Sequence, residues 1–224
     1  MSKKYELTSE TTQTINGETL YRIKALRDFG NIRAGNLGGF IGAERNLSQE
    51  NSCWVSGDAR VSGNARVFGD AQIYGNAWVY GNAQVYGNTW ISGDARVFGN
   101  ARVFGDAQIY GNAWVCGNAQ VSGDARVSGN TWISGNTRVF GDAQIYGNAR
   151  VSKPDHIITF SGFGRGSRTT TAFKTELSFS ISCGCFSGTL EEFRAAISET
   201  HGDNKFGREY KLITDLIELH FSEE

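Results

Sequence analysis

The sequence predicts a mostly β protein whose body is a parallel β-helix, a rod of about five to six triangular coils. Three observations predict it. Val or Ile recurs every six residues from Val55 to Val151, seventeen positions without a gap. A Gly follows each aliphatic but the last, Val151, by two places, and Asn or Asp comes next, as in Gly57-Asp58 and Gly63-Asn64. The pattern stops at Pro154, the only Pro of the chain. The chain therefore divides into a hairpin and cap over residues 1–46, the rod over 47–152, and a small α+β domain with two strands and two helices over 153–224.

The N-terminal segment reads as a hairpin. Tyr5-Glu6-Leu7 and Leu20-Tyr21-Arg22-Ile23 flank Asn16-Gly17, a pair that accepts the positive φ of a tight turn. Gly35 to Ile41 leads into the first coil. A cap is needed there, because an open β-helix end leaves strand N–H and C=O groups unpaired.

In the rod the unit is small-x-aliphatic-x-Gly-Asn/Asp. Ala fills most small positions, with Thr89, Thr131, Thr137 and Cys53 in the others. Residues two apart on an extended chain share a face, so the small residue and the aliphatic both point inward. Gly turns the corner, and three sides close a coil of eighteen residues. At about 4.8 Å per coil the rod is roughly 26 Å long. Residues 65–79 recur identically as 101–115, two coils on, which supports the same period.

The rod is similar to the hexapeptide-repeat family, which includes acyltransferases and γ-class carbonic anhydrases. That resemblance implies a left-handed helix. It does not carry an activity over, because fold and function separate. Family acyltransferases use a His and a loop inserted between coils, and the carbonic anhydrases use three His on zinc. This rod has neither a His nor an insertion; the chain's His156, His201 and His220 all follow it. Acyl transfer is accordingly disfavoured, and the expectation is a chain that is not an enzyme and takes no cofactor.

Outward positions sort onto three faces. One carries Arg66, Arg102 and Arg138 beside Phe68, Tyr86, Phe104 and Phe140. A second carries Trp78, Trp114 and Trp132 with Arg60, Arg96 and Arg150. The third carries Trp54 and Trp90 beside Tyr74, Tyr110 and Tyr146. Such ladders suit an interface with a protein partner or a second copy, giving a dimer or trimer. The alternative is cross-strand stacking that stabilises the wall. A formal net charge of −1 gives no case for nucleic acid or an anionic membrane. No apolar run is long enough to span a bilayer and the N-terminus lacks a signal-like core, so the expected setting is the cytoplasm.

After Pro154, runs 157–163 and 169–182 read as two strands joined by a Gly-rich loop with Arg165, Ser167 and Arg168. Thr189 with Glu192 three places on forms a capping box for a helix that His201-Gly202-Asp203 ends. A second helix begins near Asn204. Arg165, Ser167, Arg168, His201 and Asp203 are the candidate ligand or partner residues, because guanidinium forks and loop N–H groups bind anions. Cys183 and Cys185 with His201 are a poor zinc set: Cys-x-Cys chelates badly and a fourth ligand is missing. No metal is expected.

"ALRDFGNIRAGNLGGFI" before the rod and "CGCFSGTLEEF" with "ETHGDN" after it make the whole chain resemble phage- and prophage-encoded hexapeptide-repeat proteins. That implies a scaffold or interaction protein that binds and blocks a host defence or regulatory protein in the host cytoplasm. The alternative is a binder of a nucleotide or other small anion through the C-terminal domain.

Overall fold

In a computed structural model, residues 3–222 are described. Three antiparallel N-terminal strands, β1 (Tyr5–Gln13), β2 (Thr19–Ala25) and β3 (Leu37–Ile41), precede seventeen two-residue strands, β4 (Trp54–Val55) to β20 (Arg150–Val151). Four strands follow: β21 (Ile157–Phe163), β22 (Arg168–Lys174), β23 (Phe179–Cys183) and β24 (Phe186–Gly188). Helices α1 (Leu190–His201) and α2 (Lys205–Ser222) complete the chain.

The rod is a parallel β-solenoid of three sheets. Each residue pairs with the one eighteen places on, as Arg96 with Trp114 and Val97 with Val115. Each six-residue side gives three N–H groups to the next coil. Trp54 donates to Ala71 at 3.0 Å, Ser56 to Ile73 at 2.9 Å and Asp58 to Gly75 at 3.0 Å. Val85 and Val103 are fully buried, while Arg102 is exposed and Tyr86 half-buried. The inward and outward assignment of the six-residue register therefore holds.

Corners depend on glycine. From Gly57 to Gly147 the corner glycines all have φ between 63° and 80°, where side chains are disfavoured. They also stack: a Cβ on Gly105 would lie 2.9 Å from the Gly123 nitrogen. The next residue seals the corner. Asn64, Asn82, Asn100 and Asn118 each donate from Nδ2 to the Oδ1 of the Asn eighteen residues on, at 3.0–3.3 Å.

Stacking begins before the unbroken series. Phe40-Ile41 pairs in parallel with Arg60-Val61, and Leu47 bridges Val67. These offsets are twenty, not eighteen, so the first coil holds two extra residues between Leu47 and Val55. Asn51 takes a φ of 53° in that bulge. Lys4 covers it: its fully buried Nζ donates to the carbonyls of Glu50 at 3.1 Å and Cys53 at 2.9 Å, and sits 5.1 Å from the Phe29 ring centre. Burial pulls the Lys4 ammonium below its usual range despite these partners. Tyr5, also buried, donates its hydroxyl to the Leu47 carbonyl at 2.6 Å.

The C-terminal domain closes the other end. Phe173 of β22 is fully buried in the rod's own core, with Tyr146 edge-on at 5.6 Å. Ser182 donates to the Gln144 carbonyl at 2.7 Å, and Tyr146 to the Ile181 carbonyl at 3.2 Å. The domain is a sheet ordered β21-β22-β23-β24 with both helices packed on it through Phe193, Ile197, Tyr210, Ile213 and Ile217. The capping box forms as read, with the Glu192 N–H donating to Thr189 Oγ1 at 3.2 Å and the Thr189 N–H to Glu192 Oε2 at 2.8 Å.

One correction concerns strand number: four strands, not two. The run expected over 169–182 breaks at Thr175–Ser178, where the Thr175 N–H donates to the Ser178 carbonyl at 2.8 Å and the Ser178 N–H to Thr175 Oγ1 at 3.1 Å. Glu176 and Leu177 stand exposed at that tip. Phe186–Gly188, before α1, adds the fourth strand.

Val103→Asp places a carboxylate among fully buried aliphatics with no partner. Urea melts should show a loss of several kcal/mol, on the order of 3–5. Arg102→Ala should cost under about 1 kcal/mol. Equal losses would contradict the register.

Candidate functional site

The outer wall and the C-terminal corner both hold residues singled out from sequence. On the first face Phe68, Tyr86 and Phe104 form a parallel stack, at 4.8 and 5.1 Å between ring centres. Arg102 lies against both Tyr86 and Phe104 and donates to the Tyr86 hydroxyl at 2.9 Å. On the second face Trp78 leans on Tyr80, Tyr80 stacks on Phe98, Phe98 meets Trp114 edge-on, and Trp114 meets Trp132 at 5.3 Å. Arg96 covers Trp114 and Arg150 covers Trp132. Most of these rings are thus half-covered by one another. Phe140 is the exception at 60% exposed, because Ser122 stands where its stacking partner would be.

The C-terminal corner is built differently. β21 and β22 are joined by a tight loop in which Gly164 packs against Tyr210. A Cβ on Gly164 would lie 2.2 Å from the Tyr210 hydroxyl, so only glycine fits. The Gly164 N–H donates to Glu209 Oε2 at 3.0 Å, which ties the loop to α2. At the facing corner α1 ends at His201, and Asn204 caps α2. Asn204 Oδ1 accepts the N–H groups of Phe206 at 2.9 Å and Gly207 at 3.1 Å. The His201 ring stacks on Tyr210 at 5.6 Å and turns an edge to Phe206 at 6.1 Å.

Between loop and corner lies an open cleft of about 800 Å³, lined by Arg165, Gly166, Arg168, Thr200, His201, Asn204, Phe206 and Tyr210. Arg165 and Arg168 are exposed, and among the described residues neither is in an ion pair. Glu209 is occupied by the Gly164 N–H and lies 3.6 Å from Lys205. The lining is therefore rich in donors and contains no carboxylate. Burial pushes the Tyr210 phenol up to about 12, helped by its contact with Cys183, so it stays neutral in ordinary buffers.

Of the residues singled out from sequence, Arg165, Arg168 and His201 come together here. Ser167 sits at the exposed loop tip, with φ 49°, and does not line the cleft. Asp203 faces away, lining a separate groove of about 450 Å³ between α1 and α2 beside Arg194 and Arg208. The two thiols also part: Cys183 is buried, accepting the Thr170 hydroxyl at 3.3 Å, and Cys185 is exposed. Among the described residues no group of three or more His, Cys, Asp or Glu is placed to hold a metal ion. Tyr210, Phe206, Thr200 and Asn204 were not singled out. Tyr210 and Phe206 read as one apolar helical stripe; Asn204's place as a helix cap was the one signal available.

The repeat is similar to a family described as the YdcK beta solenoid repeat, matched over residues 59–71, 71–87, 95–108, 119–135 and 143–153. All five stretches follow the solenoid. No curated protein matches the chain. Among the described residues, no helix is long and apolar enough to cross a membrane.

The raised Tyr210 pKa has a signed consequence. The folded state holds this proton more tightly than the unfolded chain, so its stabilising contribution is complete below about pH 10 and fades as pH rises toward about 12. The unfolding free energy of the wild type, relative to Tyr210→Phe, should fall across that window. A difference that stays flat from pH 9 to 12 would contradict the burial.

Proposed function

We propose that the chain is a non-enzymatic binding protein in which the rod sets distance and the C-terminal cleft recognises an anionic group of its target. The observation that carries this is the pairing of Arg165 and Arg168 with His201 in one open cleft, with neither arginine ion-paired among the described residues. Guanidinium groups in that state are ready to take a carboxylate or phosphate in bidentate fashion. The rod, by contrast, spends most of its aromatic rings, and Arg96, Arg102 and Arg150, on its own wall.

The resemblance to phage-encoded proteins supports a setting in an infected bacterium, where the target is a host defence or regulatory protein, or a small anionic ligand. Four cysteines without a disulfide suit a reducing cytoplasm. The absence of a His from the rod supports the view that it transfers no acyl group.

A second reading places a protein partner, or another copy of this chain in a dimer or trimer, on the rod. Phe140 favours it. This ring is 60% exposed and borders a groove of about 540 Å³ with Arg138, Pro154, Ile157 and Ile158.

Calorimetric titration with inorganic phosphate and with an acidic peptide separates the two readings. A Kd in the micromolar to millimolar range for either anion, weakened about tenfold or more by Arg168→Ala with an unchanged melting temperature, is the outcome expected of the cleft. If Arg168→Ala changes nothing while Phe140→Ala abolishes capture of the partner or self-association, recognition lies on the rod.

A further inference from the structure

The cleft holds more than an anion requires. A phosphate group meets its needs with two guanidinium forks and fills little of about 800 Å³. The remainder has an aromatic and polar character of its own. Phe206 is half-buried, with its ring on the lining. His201 and Tyr210 stack behind it as a rigid aromatic block. Capping α2 consumes Asn204 Oδ1, yet Asn204 Nδ2 has no protein partner among the described residues, nor has the Thr200 hydroxyl. The cleft thus offers two guanidinium groups and, on the same lining, a π surface with free hydrogen-bonding groups beside it.

We infer that the ligand is a nucleotide: its phosphate lies on Arg165 and Arg168, its base lies against Phe206, and Asn204 and Thr200 meet the base edge. This rests on the anion reading of the same cleft and sharpens it. A sugar phosphate leaves the π surface uncovered. A phosphotyrosine covers it but has no polar ring edge for Asn204 and Thr200. A heteroaromatic base satisfies both, and stacking on an aromatic side chain adds affinity for any base.

The test is calorimetric titration of the full chain with adenosine and guanosine monophosphates, ribose 5-phosphate, inorganic phosphate and O-phosphotyrosine, repeated on Phe206→Leu. At least one nucleoside monophosphate should bind about tenfold tighter than ribose 5-phosphate. Phe206→Leu, which keeps the helix packed, should erase that advantage and leave ribose 5-phosphate binding unchanged. A 5′-phosphorylated DNA 10-mer tells the source. Binding equal to the monophosphate assigns a chain-end nucleotide, and exclusion assigns a free one. Equal affinity for nucleoside monophosphates and ribose 5-phosphate, or a preference for O-phosphotyrosine, overturns the nucleotide inference and leaves the anion reading standing. Failure of every phosphate to bind overturns both.

Discussion

Glycine stacked on glycine at the corners is the constraint on which this structure depends. Each corner needs a positive φ, and each lies so close to the next that a Cβ would strike backbone, 2.7 Å from the Gly105 oxygen in the case of Gly87. Meeting both conditions every six residues fixes the length of a side. The side length fixes the eighteen-residue coil, and the coil brings aliphatic over aliphatic and amide over amide. The Asn88 N–H reaches the Gly105 carbonyl at 2.8 Å because the two corners superimpose. The rod is a one-dimensional stack in which each coil is satisfied by its neighbours, so its ends carry the unmet hydrogen bonds. Lys4 and Tyr5 at one end, and Phe173, Ser182 and Tyr146 at the other, answer that need.

The same stacking governs the surface. Side chains eighteen apart lie at the coil spacing, close to the contact distance of two rings, which is why Phe68, Tyr86 and Phe104 pile up in parallel. An aromatic ladder here is partly a product of repetition, and its presence alone is weak ground for an interface. The cleft is different in kind. Nothing periodic places Arg165 and Arg168 opposite His201 and Asn204; a loop anchored by Gly164 against Tyr210 does so.

The rod was legible because its physics is local and repeated. The aliphatic states its role seventeen times, and the Gly with its Asn or Asp sixteen times, so a single reading error is outvoted. Where repetition ends, legibility falls. Ile41 pairs into the first coil ahead of the rod's expected start at residue 47, because the two-residue bulge at Asn51 breaks the six-residue count. Lys4 reads as a solvated charge near a terminus, yet it is buried over carbonyls some fifty residues away, a contact no spacing encodes. The Thr175 turn was hidden within a run of strand-forming residues. In the cleft, the arginines and His201 were visible by chemistry, whereas Tyr210 and Phe206 looked like core. Asp203 and Ser167 had the right chemistry on the wrong side, since a helix end and a loop tip do not reveal in sequence which way each residue faces.

If the rod is a spacer and the cleft recognises, the two are separable by design. Residues 65–79 and 101–115 are identical and lie two coils apart, so deleting residues 65–100 removes two coils without disturbing the register. The measurement is phosphate affinity of the shortened chain by calorimetry, with its length read by small-angle scattering. The account predicts a cooperatively folded protein shorter by roughly 10 Å, with the wild-type Kd. A shortened rod that folds but no longer binds would place recognition on the deleted coils and contradict it.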